Sequence, residues 1–540
     1  MKTTMVHLQH LPLLAWSVLL IPLLFQISNA QQNPPVIEWQ KSFGGNSMDI
    51  ANSIQQTRDG GYIVAGKSCF TDIGMSKIYD STDYWIVKLT SMGEMEWQRP
   101  FGGMDYDEAK SIKQTSDGGY IVAGVSSGDY WIVKLTNKGM VEWHRLLGGS
   151  GGEVASSITQ TSDGGYIVAG ACTSNDRDVT GHHEPLYNYD IWIVKLTNTG
   201  VIQWQKSLGG SESDGANSII QTSDGGFIVA GSSESDDGDV TGHHRTSDSS
   251  DHFNYSDFWV VKLTSTGQIE WEKSLGGGYD DVAKSIIQTS EGGYIVAGSS
   301  ESDDGEVTGH HGAYRLADYW IVKLTNTGEI EWRKSLGGSG GEVANSIAQT
   351  SDGGYIVAGW SWSNDGDVSG IYLHVNYWVV KLSNTGGIEW QKMLGGTGDD
   401  RANSIAQTSD GGYIVAGWSW SVDGNITEHR GAADFWIVKL ARATSDVQQE
   451  PTASMAPLTI HPNPAHTTAM LKLQTPAEAE YTIELISPLG EVVKRQSAQL
   501  GLGEQTVHLT NLESLPAGSY EVIVSGGGKQ VARGRLVVGK

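Results

Sequence analysis

The chain has 540 residues, 62 acidic against 36 basic, giving a formal charge of −26 with only 18% of positions charged. Its 19 tryptophans exclude an acidic disordered tail, and the absence of a basic excess excludes a nucleic-acid binder. Two cysteines are too few for a disulfide-framed scaffold or a four-cysteine zinc site, while 70 glycines are about twice the usual share.

Residues 1–30 read as a secretory signal: Lys2, an apolar run from Leu11 to Phe25, then Ser28-Asn29-Ala30 as a small-x-small cleavage site. The run is short for a membrane span, which needs roughly 20 residues, although a retained anchor is the alternative. No later segment is long and apolar enough to cross a bilayer, so no span is expected once the signal is removed.

Residues 31–440 are repetitive, and repeats have to be settled before any motif is read. DGG(Y/F)IVAG, once with Glu for Asp, recurs with its last glycine at Gly66, Gly124, Gly170, Gly231, Gly298, Gly359 and Gly417. A (D/N)xW(I/V)VKL run follows on Trp85, Trp131, Trp192, Trp259, Trp320, Trp378 and Trp436. A third run, such as IEWQKMLGG, lies on Trp39, Trp97, Trp143, Trp204, Trp271, Trp332 and Trp390, at spacings of 58, 46, 61, 67, 61 and 58. Subtracting the segment between the AG glycine and the (D/N)xW run leaves 42 residues every time. One loop varies and the rest is a fixed frame.

Each frame holds four strand candidates: SI(x)QT, a DGG turn into YIVAG, then YWIVKL, a TNTG-type turn and IEWQKxLGG. Val, Ile, Tyr and Trp dominate the runs, and Gly, Asp and Ser dominate between them. Seven four-stranded meanders predict a seven-bladed β-propeller. The domain opens on a fourth strand and closes on a third, so its N-terminal strand is expected to complete the last blade and hide two strand edges.

The variable second-to-third loops share one end with the fourth-to-first connections. The loops carry a net −13 and the five residues after each LGG-type pair a net −11, so this end holds −24 of the repeat region's −26. Such a face repels anionic polymers and attracts cations or basic partners, unless the acids serve solubility alone. Five loops carry Ser-x-Asp-x-acid: Ser174/Asp176/Asp178, Ser235/Asp237/Asp239, Ser302/Asp304/Glu306, Ser363/Asp365/Asp367 and, with Asn, Ser421/Asp423/Asn425. Oxygens at positions 1, 3 and 5 suit calcium, though no bidentate glutamate follows, and Asx-turns need no metal.

VTGHH recurs at His182-His183, His243-His244 and His310-His311, readable as a transition-metal cluster or as exposed loop tips. Trp360, Trp362, Trp418 and Trp420 stand outside the frame at the loop-bearing rim, where they could stack on sugar rings or pack between blades. Cys69 and Cys172 lie in loops of the first and third repeats, and pairing them would need favourable geometry. There is no G-x-S-x-G elbow, HExxH or phosphate loop, and nothing selects one carboxylate pair for hydrolysis.

Residues 441–457 are polar and aperiodic with two prolines, which suits a linker. From 458 to 540 short alternating runs predict a small Ig-like β-sandwich, electrically neutral with seven basic and seven acidic residues. HPNPA (461–465), LISPLGEVV (485–493), LPAGSYEVIVSGGG (515–528) and RLVVGK (535–540) resemble the C-terminal sorting domain of type IX secretion cargo, a Bacteroidota family. On that resemblance Pro462, Asn463, Pro464, Gly490, Gly518 and Tyr520 are the sorting-motif residues, the secretion machinery is a partner, and the protein is secreted or held at the outer-membrane surface. His461 departs from the family's usual aromatic, and an ordinary terminal sandwich is the alternative. The repeats resemble DGGYIVAG-type propeller-like repeats of Bacteroidota surface proteins. The expected function is a non-catalytic binding or adhesion protein for a glycan or protein ligand. A glycan hydrolase or lyase and a structural surface component are the alternatives.

Overall fold

The computed structural model describes residues 33–69, 82–183, 187–244, 254–312, 315–369, 374–443, 458–475, 479–487, 492–501, 503–526 and 529–539. The signal segment, residues 444–457 and Gly490 lie outside the described residues. The chain divides into two compact units, residues 1–443 and 444–540. Among the described residues there is no α-helix, and no helix is long and apolar enough to cross a membrane.

Among the described residues of the first unit, seven four-stranded antiparallel sheets follow one another. The first pairs Asp49–Gln56, Tyr62–Ser68, Asp83–Leu89 and Met95–Phe101 in chain order, and five more repeat this plan. The last joins Asp400–Gln407, Tyr413–Ser419 and Asp434–Leu440 to Ile37–Phe43, with Phe43 opposite Phe435. The YIVAG and YWIVKL strands are buried on both faces because each sheet is packed between two others, which is why they read as unbroken apolar runs.

Local chemistry sets the frame. In the first DGG turn Gly60 takes φ +83°, and Asp59 accepts a hydrogen bond from the Gly61 amide at 3.0 Å. The same carboxylate meets Lys88 Nζ at 3.0 Å, and Glu96 meets it at 3.4 Å. The one lysine of each apolar WIVKL strand is thus buried but paired, as a buried ammonium requires. At Gly66 a Cβ would run into the carbonyl oxygen of Ile50 on the neighbouring strand, so the close pairing there needs glycine.

The core lies between sheets. Tyr84 packs at a tilt against Trp131 of the next sheet with centroids 4.5 Å apart and donates its hydroxyl to that residue's carbonyl at 2.8 Å. Tyr130, Tyr319 and Tyr377 repeat the contact with Trp192, Trp378 and Trp436. One core cluster joins Ile414, Ala416, Phe435 and Ile437 of the last sheet to Ala51, Ile54, Val64 and Trp85 of the first.

In the second unit a three-stranded sheet (Thr459–His461, Ala469–Thr475, Gly503–Leu509) and a four-stranded sheet (Val492–Leu500, Ala479–Ile486, Gly518–Gly526, Lys529–Val538) share one core that includes Leu471, Ile483, Val507, Val522 and Leu536. Asn463 acts as a strand surrogate: its amide donates to Arg535 O at 2.8 Å and its oxygen accepts from Val537 N at 2.7 Å. Pro462 and Pro464 flank it, and Tyr520 donates to Pro516 O at 2.7 Å.

Candidate functional site

The end of the first unit that carries the variable loops is organised around pairs of buried carboxyl groups. One member opens a third strand and the other opens the first strand of the next sheet; both crowd the space beside the first glycine of the LGG run between them. Asp190 and Asp214 flank Gly209 in this way, as do Asp257 and Asp281 at Gly276 and Asp434 and Asp49 at Gly44. Asp214 accepts from Gly210 N at 2.8 Å and Ser235 Oγ at 3.0 Å, yet its Oδ1 is buried without a hydrogen-bond partner. The Oδ1 atoms of Asp49, Asp190, Asp257, Asp281 and Asp434 are in the same position. Burial, with the neighbouring carboxylate adding to it, pushes Asp281 up to about 8 and Asp49 and Asp214 up to about 6. In the sixth sheet the partner of Asp400 is Asn376, an uncharged isostere of a protonated aspartic acid.

The Ser-x-Asp-x-acid residues are turned onto backbone N–H groups of the adjoining connection. Asp176, Asp237, Asp304 and Asp365 accept from the amides of Ser150, Ser211, Gly278 and Ser339, each at 2.7 Å. Asp423 accepts from Thr397 N at 2.8 Å. One step on, Asp178, Glu306, Asp367 and Asn425 accept from Gly148, Gly276, Gly337 and Gly395. Three oxygens of one loop thereby clasp three separate donors, so the pattern has a structural task that needs no cation. Among the described residues no group of three or more His, Cys, Asp or Glu side chains is arranged to hold a metal ion.

The VTGHH residues are tied into the same clasp. His183 Nδ1 meets Asp190 Oδ2 at 2.8 Å and its Nε2 approaches Asp239 of the next sheet's loop at 3.9 Å. His244 joins Asp257 (2.9 Å) to Glu306 (3.2 Å), and His311 joins Asp318 (3.0 Å) to Asp367 (3.7 Å). The second histidine of each pair is therefore a strut between neighbouring sheets, about one-third exposed, and among the described residues no metal cluster forms around it. The first histidine is buried: His182 at 6%, and the His243 and His310 side chains at 2% and 7%. Cys69 and Cys172 are not joined as a disulfide; Cys172 is buried, which pushes its thiol up.

The four tryptophans divide by position. Trp360 and Trp418 are half-buried and hold the Arg401 guanidinium between them, 4.6 and 5.6 Å from the ring centroids. Trp362 and Trp420 are 58% and 45% exposed, each the first residue beyond a second strand. The equivalent residues of the two preceding sheets are Glu234 and Glu301. All four are seated alike, their amides donating to Ser213, Asp280, Gly341 and Asp399 carbonyls at 2.9–3.0 Å. Four consecutive sheets thus present acid, acid, tryptophan, tryptophan. Burial and Asp280 push the Glu301 carboxyl up to about 7, and Glu234 is raised by burial, Asp280 and Glu212. Sequence reasoning missed this arc, the acid pairs and Arg401, although the recurrent Asp of (D/N)xW and the alignment of SSES with WSWS were in plain view.

Residues 459–538 match the family model of a secretion system C-terminal sorting domain. The second unit is a type IX secretion sorting domain, so the chain carries the export signal of that system, for a secreted or surface-attached protein. No curated protein matches the chain. Among solved structures, Drosophila Plexin A in complex with Semaphorin 1b aligns at 9% identity and TM-score 0.38, covering 76% of this chain and 88% of that one. Sqt1 from Chaetomium thermophilum aligns at 12% identity and TM-score 0.40, covering 75% and 100%. Likenesses this loose carry no argument about activity.

Proposed function

We propose that residues 31–440 form a seven-bladed propeller closed by its N-terminal strand, exported through a signal peptide at 1–30 and joined by a linker at 441–457 to the sorting domain at 458–540. The closed ring is supported by the core cluster and hydrogen bonds that link the last sheet to the first. On this scaffold the protein is a secreted or surface-displayed, non-catalytic binding protein whose loop-bearing end takes a glycan. The observation that carries the reading is the arc of Glu234, Glu301, Trp362 and Trp420: exposed flat rings for stacking on sugar faces, beside carboxyl groups that accept sugar hydroxyls. A glycan array with the full chain and its Trp362→Ala/Trp420→Ala variant tests it. Glycan binding by the parent alone is expected, and equal binding by both forms would sink the assignment.

A second reading, a glycan hydrolase, is favoured by one observation: Glu301, raised to about 7 by burial and Asp280, has the environment of a general acid beside a second acidic side chain. Turnover of a bound polysaccharide, abolished in Glu301→Gln, would select it.

A further inference from the structure

Arg401 is the second residue of the last sheet's first strand and stands opposite Trp418. Three other sheets carry valine at this position, Val154, Val282 and Val343. The other charged residue found there, Glu108, is neutralised by Lys110 at 2.8 Å and Lys67 at 3.5 Å. A guanidinium here is therefore a departure from the repeat, and it falls beside Trp360 and Trp418, in the two sheets that also carry Trp362 and Trp420.

Among the described residues, other arginines that lie over aromatic rings spend their N–H groups inside the protein. Arg99, 5.5 Å from the Trp97 centroid, donates to Gln98 O at 2.7 Å and Lys138 O at 3.3 Å. Arg145, 5.5 Å from Trp143, donates to His144 O (2.7 Å), Thr199 O (2.9 Å) and Gly200 O (3.1 Å). Arg315, between Tyr255 and Tyr279, donates to the Tyr255 hydroxyl. Arg401 lies nearer a ring than any of these, 4.6 Å from Trp360, yet its Nε is buried without a hydrogen-bond partner. Its side chain makes no hydrogen bond or ion pair among the described residues, in a chain of net charge −26. The rings cover the faces of the guanidinium and leave its edge, where the N–H donors lie, unclaimed. That edge matches a planar carboxylate through two parallel bonds. Arg401 is only half-buried, and the Trp418 ring leads on to exposed Trp420, with centroids 5.8 Å apart.

We propose that Arg401 is the specificity residue of the loop-bearing end, pairing with the carboxylate of a uronic acid in the bound glycan while Trp420 stacks on an adjoining sugar. This rests on the glycan reading above and narrows it. Glu234 and Glu301 serve neutral sugars on the other half of the arc, where a carboxylate would be repelled. The acidity of the whole end also disfavours a densely charged polymer, so the ligand carries isolated acidic sugars among neutral ones.

The test uses the full chain and immobilised oligosaccharides with a single uronate each, the carboxyl-reduced form of each as its neutral match, and oligouronates as the densely charged comparison. Arg401→Val installs the residue of three other sheets, so it is expected to fold, as thermal melting will show. Arg401→Lys keeps the charge without the planar fork. The parent should bind at least one uronate form about tenfold or more tighter than its reduced match. That preference should fall to about twofold or less in Arg401→Val and be kept only in part by Arg401→Lys. Equal binding of the matched forms by the parent, an undiminished preference in Arg401→Val, or tightest binding of the oligouronates overturns the acidic-sugar assignment and leaves the glycan reading standing. Absence of binding to every oligosaccharide, neutral or acidic, overturns both.

Discussion

Asn403 donates its side-chain amide to the carbonyl oxygen of Ala51 at 2.9 Å, across 352 residues of sequence. Ser409 N donates to Gln56 Oε1 (2.8 Å) and Ile54 N to Ser404 Oγ (3.2 Å) along the same seam. Asn403→Ala, losing one part-buried hydrogen bond worth about 1 kcal/mol, should lower the melting temperature by roughly 2 °C or less. Deleting residues 31–43 removes the strand paired with Asp434–Leu440 and uncovers Phe435 and Trp436, so it should cost far more and promote association. Calorimetry and light scattering on the two variants check the ranking.

The acid pairs set the response to pH. A carboxyl raised to about 6 (Asp49, Asp214) or about 8 (Asp281) keeps its proton in the native state where the unfolded chain has lost it. Native protein then binds more protons, so this stability is complete below the unfolded value near 4 and is lost as pH rises through 6 to 8. His244, raised to about 9 by its bond to Asp257 and facing Glu306, acts in the same sense. Asp117, Asp163, Asp224 and Asp410, held at about 2 mainly by hydrogen bonds to their turns and lysines, reverse the trend only in strong acid. The melting temperature should be higher near about pH 5 than near about pH 9. Asp281→Asn, which like the Asn376–Asp400 pair leaves one ionisable carboxyl beside the glycine, should flatten that fall, and an unchanged slope would remove the pair as its source.

The loop clasp predicts indifference to calcium. Because Asp237 and its equivalents already accept backbone amides, millimolar calcium should leave the melting temperature unchanged. Asp237→Ala should destabilise by about 1 kcal/mol or less by removing the acceptor of the exposed Ser211 amide. A calcium-dependent rise of several degrees would select the cation reading instead.

Truncation at residue 457 removes the sorting domain while leaving every sheet of the first unit intact. In a host with the type IX system the truncated chain should fold but fail to reach the surface or medium, as judged by fractionation. Delivery equal to the full chain would contradict the sorting role.

Much of the fold was legible because it is written in repeats. The strand runs, the DGG turns and the opening strand's place in the last sheet follow from spacing and the two-sided burial of YIVAG and YWIVKL. The end that carries the site was less legible. Asp176 or His183 reads as a ligand by residue type, but Asp176 accepts from a backbone amide 26 residues away, and His183 holds Asp190 while approaching a carboxylate of another sheet's loop. Glu301 and Trp362 look unrelated in sequence and become equivalents only when second strands are superposed. Arg401 is one arginine among several until its register with Trp418 is known.

The strand Ile37–Phe43 is made first, yet its partner Asp434–Leu440 is made some 390 residues later. A chain delivered N-terminus first can assemble the intervening sheets one after another, but the seam stays open until that late partner arrives. Maturation of the first unit is therefore a single terminal event, and a chain halted anywhere before it presents an unmated edge at each end to whatever quality control it meets.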